Sequence, residues 1–267
     1  MALLEVRHLS VGFRMYRSFY QRVLGFAVDD LSLTAEPGQV LGIVGASGSG
    51  KSLLAHAIMG LLPYNAVERG EIWFDGELVT RQRVKQLRRS ELALIPQSIS
   101  FLDPLKKVGD QLYENRSLSA TERVEVADRL GLVPTDLDKY PFQLSGGMAR
   151  RILLATALLS QARLIIADEP TPGLPVTLAE QMLADFRTLA NEGRCVLIIS
   201  HDVDLVSAVA DQVAIVNRGR LVAQLSVHDF THPDDCDSHP YAKALWRALP
   251  QNDFGTDLTA LDEEQAC

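Results

Sequence analysis

Excess positive charge, long apolar runs and paired cysteines are missing from this 267-residue chain, and aromatics are few. Its 34 acidic residues outnumber 26 basic ones and give a formal net charge of −8, which removes the electrostatic footprint that duplex nucleic acid needs. Aromatics make up only 6%, too few for a base-stacking platform. Cys195, Cys236 and Cys267 form neither an even set nor a C-x-x-C pair. That excludes a disulfide framework and fits a reducing compartment. No run reaches the ~18 apolar residues of a membrane-spanning helix. The best candidate, Ile152 to Ala162, carries Ser160 and Gln161 and is bounded by Arg150, Arg151 and Arg163. The opening Met1-Ala-Leu-Leu-Glu5 is too short and too acidic to read as a signal peptide.

What is present is 47% hydrophobic and long enough for one large domain with a modest appendage. The runs Val40 to Val44, Leu164 to Ala167 and Cys195 to Ile199 read as buried strands, each ending in glycine or polar residues. Helical patterns over Ser52 to Leu62, Arg151 to Ser160 and Leu178 to Glu192 separate them. This alternation predicts an α/β fold with a mostly parallel core sheet, whose ligands bind beyond the carboxyl ends of the strands. Residues 1–40 and 70–80 read as short strands with turns, an antiparallel β flank. Residues 98–150 lack strand character and predict an inserted helical lobe, drawn as a subdomain over about 98–160. The expected division is one main domain over 1–227 and a C-terminal helix with an acidic tail over 228–267.

Three motifs carry chemistry. Gly45-Ala46-Ser47-Gly48-Ser49-Gly50-Lys51-Ser52 matches the phosphate-binding loop G-x-x-x-x-G-K-[ST] in full. Its glycines let backbone amides curl around a phosphate, Lys51 reaches the terminal phosphates, and the Ser52 hydroxyl is a ligand for Mg²⁺. Leu164-Ile-Ile-Ala167-Asp168-Glu169 ends a buried strand in two carboxylates. Asp168 suits the Mg²⁺, and Glu169 suits the polarisation of an attacking water. Leu144-Ser145-Gly146-Gly147-Met148 stands before a helix pattern and offers a second anion site built from amides and a hydroxyl.

With that third motif the sequence resembles the ATP-binding subunits of ABC transporters over nearly its whole length. The resemblance implies a P-loop ABC-ATPase fold, ATP and Mg²⁺ as cofactors, and a dimer in which each Ser-Gly-Gly covers the nucleotide held by the other subunit. It assigns Gln97 as a Mg²⁺ and water ligand that senses the membrane subunits, His201 as the switch histidine at the γ-phosphate, and Phe13 as the ring stacked on adenine. Tyr16, Phe19, Tyr20 and Phe26 compete with Phe13 for that last role.

Asp103-Pro104, Tyr140-Pro141-Phe142, Met148 and His239-Pro240-Tyr241 look like the peptide/nickel importer branch. The branch implies a second, different ATPase subunit, two membrane permeases and an external solute-binding protein, with no nucleic acid partner. The expected place is the cytoplasmic face of the inner membrane, held there by other chains. Only Cys267 follows the His-Pro-Tyr helix, so no iron–sulfur cluster is expected, which tilts the cargo toward nickel or metal chelates over dipeptides. The competing class is a soluble ABC ATPase acting on nucleic acid or ribosomes. It is disfavoured by the acidity and by the lack of a coiled-coil insertion or second cassette. His232, Asp234, Asp235, Cys236, Asp237 and His239 hold every donor type a metal site wants. The family uses that place as a linker, and it is not counted as a metal site.

One departure stands out. After Thr171, where the family reads Ser/Thr-Ala-Leu-Asp, this chain has Pro172-Gly173-Leu174-Pro175. Proline has no N–H and fixes its φ at about −65°. The substitution either makes the two ATP sites of the dimer unequal or merely stiffens a tolerant loop.

Overall fold

The computed structural model describes residues 1–18, 21–98, 101–112, 119–129, 131–234 and 239–249. Its centre is a six-stranded sheet made of β3 (Val40–Val44), β6 (Leu92–Ile95), β7 (Leu164–Asp168), β8 (Cys195–Ile199), β9 (Gln212–Asn217) and β10 (Arg220–Ser226). The strand order is β10-β9-β3-β8-β7-β6, with every pair parallel except β9–β10. Both faces of this sheet are covered, which is why its strands read as unbroken apolar runs.

Period-two alternation sorts those runs into two cores. Val40, Val44, Ile165, Ala167, Val196, Ile198, Val213 and Ile215 face one core. Leu41, Ile43, Leu164, Ile166, Cys195, Leu197, Ile199, Ala214 and Val216 face the other. The first core is closed by α5 (Gly146–Leu158), α6 (Val176–Asn191) and α7 (Val203–Ser207), with α8 (Val227–Thr231) and α9 (Pro240–Arg247) beside them. The second is closed by α1 (Lys51–Ile58), α2 (Arg81–Ser90) and an antiparallel sheet ordered β2-β1-β4-β5. In that sheet β1 is Leu4–Ser18, β2 Gln21–Ala35, β4 Ala66–Phe74 and β5 Glu77–Leu78. Cys195 lies wholly inside, and burial pushes its thiol up to about 12, so it is an inert core residue.

The expected short strands before residue 40 are instead two 15-residue strands paired along their length. Register shifts near Val6, Leu9 and Val11 bend them, and the polar interruptions at those shifts made one strand read as several. The helix expected over Ser52 to Leu62 stops at Ile58, where Gly60 turns at φ 61° with Val84 packed against it. Between β6 and β7 the chain forms α3 (Val108–Leu112), α4 (Ala120–Arg129), 3-10 turns at 134–138 and 141–143, and α5, with no strand among the described residues. No described helix is long and apolar enough to cross a membrane.

Phe186 on α6 is fully buried against the sheet. Replacing it with alanine should cost about 3–5 kcal/mol in an equilibrium denaturation experiment, the range for a large core cavity. Leu105→Ala, at a site 85% exposed, should stay within about 0.5 kcal/mol of the unmodified chain.

Candidate functional site

Parallel pairing puts the carboxyl ends of β3, β6, β7 and β8 on one edge of the sheet. There Val44 leads into the 45–52 loop, Ile95 into Gln97, Asp168 into Glu169, and Ile199 into Ser200 and His201. Backbone bonds stitch the edge together: Ser200 donates to the Ile43 carbonyl at 3.2 Å, and Glu169 donates to the Ile199 carbonyl at 2.9 Å.

The loop is buttressed on several sides. A Cβ at Gly45 would sit 2.0 Å from the Val216 carbonyl oxygen, and one at Gly50 would sit 2.5 Å from that of Ala27. The Gly219 amide donates to the Ser49 carbonyl at 3.1 Å. Only glycine allows these approaches, because Gly45 and Gly50 also have φ of 151° and 98°. The crest, Ala46 to Gly48, is exposed. Gly50 stands at the N-terminal end of α1 with no side-chain cap, whereas Thr80, Ser145, Asp202 and Ser226 cap their helices. The first-turn amides of α1 thus have neither intrahelical acceptor nor capping oxygen, the condition for anion binding at a helix end.

Lys51 is buried and folds its ammonium onto the loop, donating to the carbonyls of Gly45 at 2.8 Å and Ala46 at 2.9 Å. Burial pulls its pKa below the ordinary lysine value, against the opposing pull of Glu169 and Asp168. The Ser52 hydroxyl donates to Asp168 Oδ1 at 3.0 Å, joining α1 to the end of β7. Burial pushes the Asp168 carboxyl above its usual range, while that hydroxyl bond works the other way.

Glu169 is buried with a left-handed φ of 49°, which turns its side chain back to the sheet edge. Strained backbone of this kind concentrates at functional sites. His201 Nδ1 lies 2.9 Å from Glu169 Oε1 and 2.8 Å from Oε2. The bond angle selects Oε1, and Oε2 remains buried without a hydrogen-bond partner. Because a carboxylate only accepts, Nδ1 carries the hydrogen and the far ring nitrogen faces away.

Lys51, Ser52, Asp168, Glu169 and His201 are therefore brought together. Gln97 follows β6 on the same edge, with its side chain exposed and its carbonyl held by Arg150 at 2.8 Å. Ser145 caps α5 through the Met148 amide at 3.3 Å, and a Cβ on Gly146 or Gly147 would meet nothing within 4 Å. Leu144 and Met148 pack on the core behind them. Phe13 is half-buried in the antiparallel sheet, opposite Gly25 and Ala66. Phe26 is 37% exposed beneath the Arg69 guanidinium. Phe19, Tyr20 and the Tyr16 side chain lie outside the described residues. Of the 232–239 segment, His232 stacks on His228 and Asp234 pairs with Arg247. Asp235, Cys236 and Asp237 lie outside the described residues, as does Cys267. In the 172–175 loop Gly173 has φ 79°, Leu174 donates to Thr171 at 3.1 Å, and Pro175 stands at the head of α6. Arg150 was missed as a site residue, since a charged side chain after a helix start carries no signal of where its guanidinium points.

Residues 28–172 match the family profile described as ABC transporter. The chain is 36% identical over 278 residues to the oligopeptide transport ATP-binding protein OppD of Lactococcus lactis subsp. cremoris strain SK11, covering 96% of this chain and 78% of that protein. It is also 36% identical to the dipeptide transport ATP-binding protein DppD of Escherichia coli K12, covering 94% of this chain and 79% of that one. Among solved structures, the dimeric ATP-binding cassette MJ0796 in a post-hydrolysis state with ADP and Pi superposes with a TM-score of 0.72 at 22% identity, over 84% of this chain and 98% of that one. That last likeness is one of fold.

Gly48 and Gly50 separate two effects. Both have left-handed φ, but a Cβ at Gly48 meets open space. Gly48→Ala should lose only the conformational term, about 1–2 kcal/mol. Gly50→Ala should lose more, because its Cβ also meets the Ala27 carbonyl. Equal urea midpoints for the two variants would contradict the close-approach reading.

Proposed function

The chain belongs to the ABC transporter family, and from that premise we propose how its sheet-edge residues work and what they serve. It is the ATP-hydrolysing subunit of an ABC importer. The observation that carries the mechanism is the Ser52–Asp168 bond, which unites the phosphate loop with the carboxylate strand. The uncapped amides of α1 and the Lys51 ammonium receive the phosphates, with Lys51 exchanging its loop carbonyls for phosphate oxygens. The donor set fits Mg²⁺, since the Ser52 hydroxyl and the Asp168 carboxylate are hard oxygen ligands side by side, with Gln97 as a third candidate. When bound, Mg²⁺ supplies charge neutralisation on the phosphates.

The Glu169 carboxylate, held against His201, takes the proton of the attacking water. His201, held through Nδ1, keeps that carboxylate in place and presents its other nitrogen to the γ-phosphoryl. Most of the rate then comes from positioning and charge stabilisation. Phe13 is our assignment for the adenine stack, on family placement alone.

Ser145, Gly146 and Gly147, with Leu144 and Met148 behind them, cover the nucleotide of a second ATPase subunit. We take that partner to be a different chain, alongside two permeases and a solute-binding protein. A cavity of about 520 Å³ lined by Met59, Leu61, Arg88, Arg89, Leu94, Phe101 and Leu159 supports a permease contact here, near Gln97. The subunit then sits peripherally on the cytoplasmic face of the inner membrane. Residues 1–227 form the ATPase unit, with the helical subdomain over about 98–160 and the C-terminal helix and tail over 228–267. The relatives' names favour di- or oligopeptide cargo over nickel. Uptake of labelled dipeptide against labelled nickel in a strain lacking this subunit tests that choice, and a strain with both uptakes intact would refute both cargoes.

Glu169→Gln should leave ATP affinity unchanged and lower turnover of the assembled transporter by about 10²–10⁴-fold, the usual worth of a general base. Turnover near the unmodified rate would remove Glu169 from that role. The purified chain alone should hydrolyse ATP slowly, and vigorous turnover without a partner would show that its sites are complete in themselves.

A further inference from the structure

Arg150 lies in the first turns of α5, five residues after the helix-capping Ser145. Its guanidinium donates through one nitrogen to the Gln97 carbonyl at 2.8 Å and through the other to the Pro172 carbonyl. Gln97 follows β6 and Pro172 follows β7, neighbours in the sheet with Ile95 opposite Ala167. One planar fork thus spans the two loops that leave adjacent strands. The next residue, Arg151, turns away and donates to the Gly131 carbonyl at 2.7 Å, tying the same helix to the segment after α4.

We propose that Arg150 is a positioning residue that locks the loops after β6 and β7 to the helix bearing Ser145, Gly146 and Gly147, so that all three move as one body during the ATPase cycle. The argument is geometric. Neither carbonyl lies within a strand ladder, and each accepts from a nitrogen of the Arg150 guanidinium. Arginine supplies two charge-assisted bonds in a fixed fork, and the spacing of its nitrogens sets the spacing of the loops. Lysine, a point charge on a flexible stem, can satisfy one carbonyl at a time. Displacement of α5 therefore carries both the Gln97 backbone and the 172–175 loop with it. None of Lys51, Ser52 and Asp168 bonds to Arg150, so loss of the fork should leave nucleotide affinity alone and slow the step that needs the loops in register.

The test uses the full chain and its assembled transporter, with Arg150→Lys and Arg150→Gln. Amide hydrogen exchange in the chain should quicken about tenfold in peptides spanning 96–98 and 171–174 in both variants, with β3 and α1 unchanged. In the transporter, kcat should fall about tenfold while KM for ATP stays within about twofold, and lysine should rescue little. Unchanged exchange in the two loops would overturn the clamp. So would quickening across the whole chain, which assigns Arg150 to global stability, or full kcat in Arg150→Lys, which shows that charge without the fork suffices. The exchange readout does not depend on which residues do the chemistry, so it fails separately from the catalytic assignments.

Discussion

Parallel pairing of β3 with β8 on one side and β9 on the other sets everything else in this molecule. Parallel strands need crossovers, and here helices on one face, with helices and an antiparallel sheet on the other, force the strands to be apolar throughout. Each buried Val, Leu or Ile contributes about 1.5–3 kcal/mol, so the alternation of side chains between the two cores fixes the register firmly. Gly42 is the exception that shows how tight the arrangement is. A Cβ there would sit 2.2 Å from Val206, because α7 packs directly on the middle of β3. A sheet held this rigidly presents four strand ends at one edge, and chemistry that needs a phosphate loop, a carboxylate pair and a histidine within reach is assembled by topology alone.

At that edge burial and charge work against each other. Desolvation lowers Lys51 and raises Asp168, so burial favours the neutral form of each. Their mutual proximity, the Ser52 hydroxyl and the loop carbonyls favour the charged forms. A phosphate arriving at Lys51 and the first-turn amides of α1 meets donors already oriented and already partly stripped of water, which is why such interactions exceed their worth in bulk solvent. The left-handed backbone at Glu169 belongs to the same economy: it accompanies a second carboxylate in contact with His201.

Much of this was legible in the sequence, and the reasons differ by element. The 45–52 loop and the 164–169 strand were readable because their chemistry requires particular residues at fixed spacing, and the strands β3, β7 and β8 because burial on both faces leaves an unbroken apolar run. The long β1 and β2 were not, because bulges break the period that would reveal one strand. Glu169's turned backbone left no trace in residue type, since left-handed φ is announced only by glycine or asparagine. Arg150 was invisible for a different reason. Its partners are backbone carbonyls more than twenty residues away in both directions, and carbonyls have no sequence identity. The adenine ring assignment rested on placement in a segment with several aromatics, and the strand pairing of Phe13 with Gly25 and Ala66 does not choose among them.

Two helix ends, the uncapped α1 and the Ser145-capped α5, bear on why the proposed unit is a pair of chains. At α1 the free amides adjoin Lys51, so a phosphate there meets both a dipole and a cation. At α5 the Ser145 hydroxyl is spent on the Met148 amide, leaving the amides of Gly146 and Gly147 with no intrahelical acceptor and open space around them. That second end has no lysine of its own to complete a phosphate site, and it is physically tied through Arg150 to the loops at the first. A half-site whose own arginines are committed to loop carbonyls gains most from a nucleotide already held elsewhere. Whatever displaces α5 is therefore transmitted through the Arg150 guanidinium to the backbone at Gln97 and Pro172.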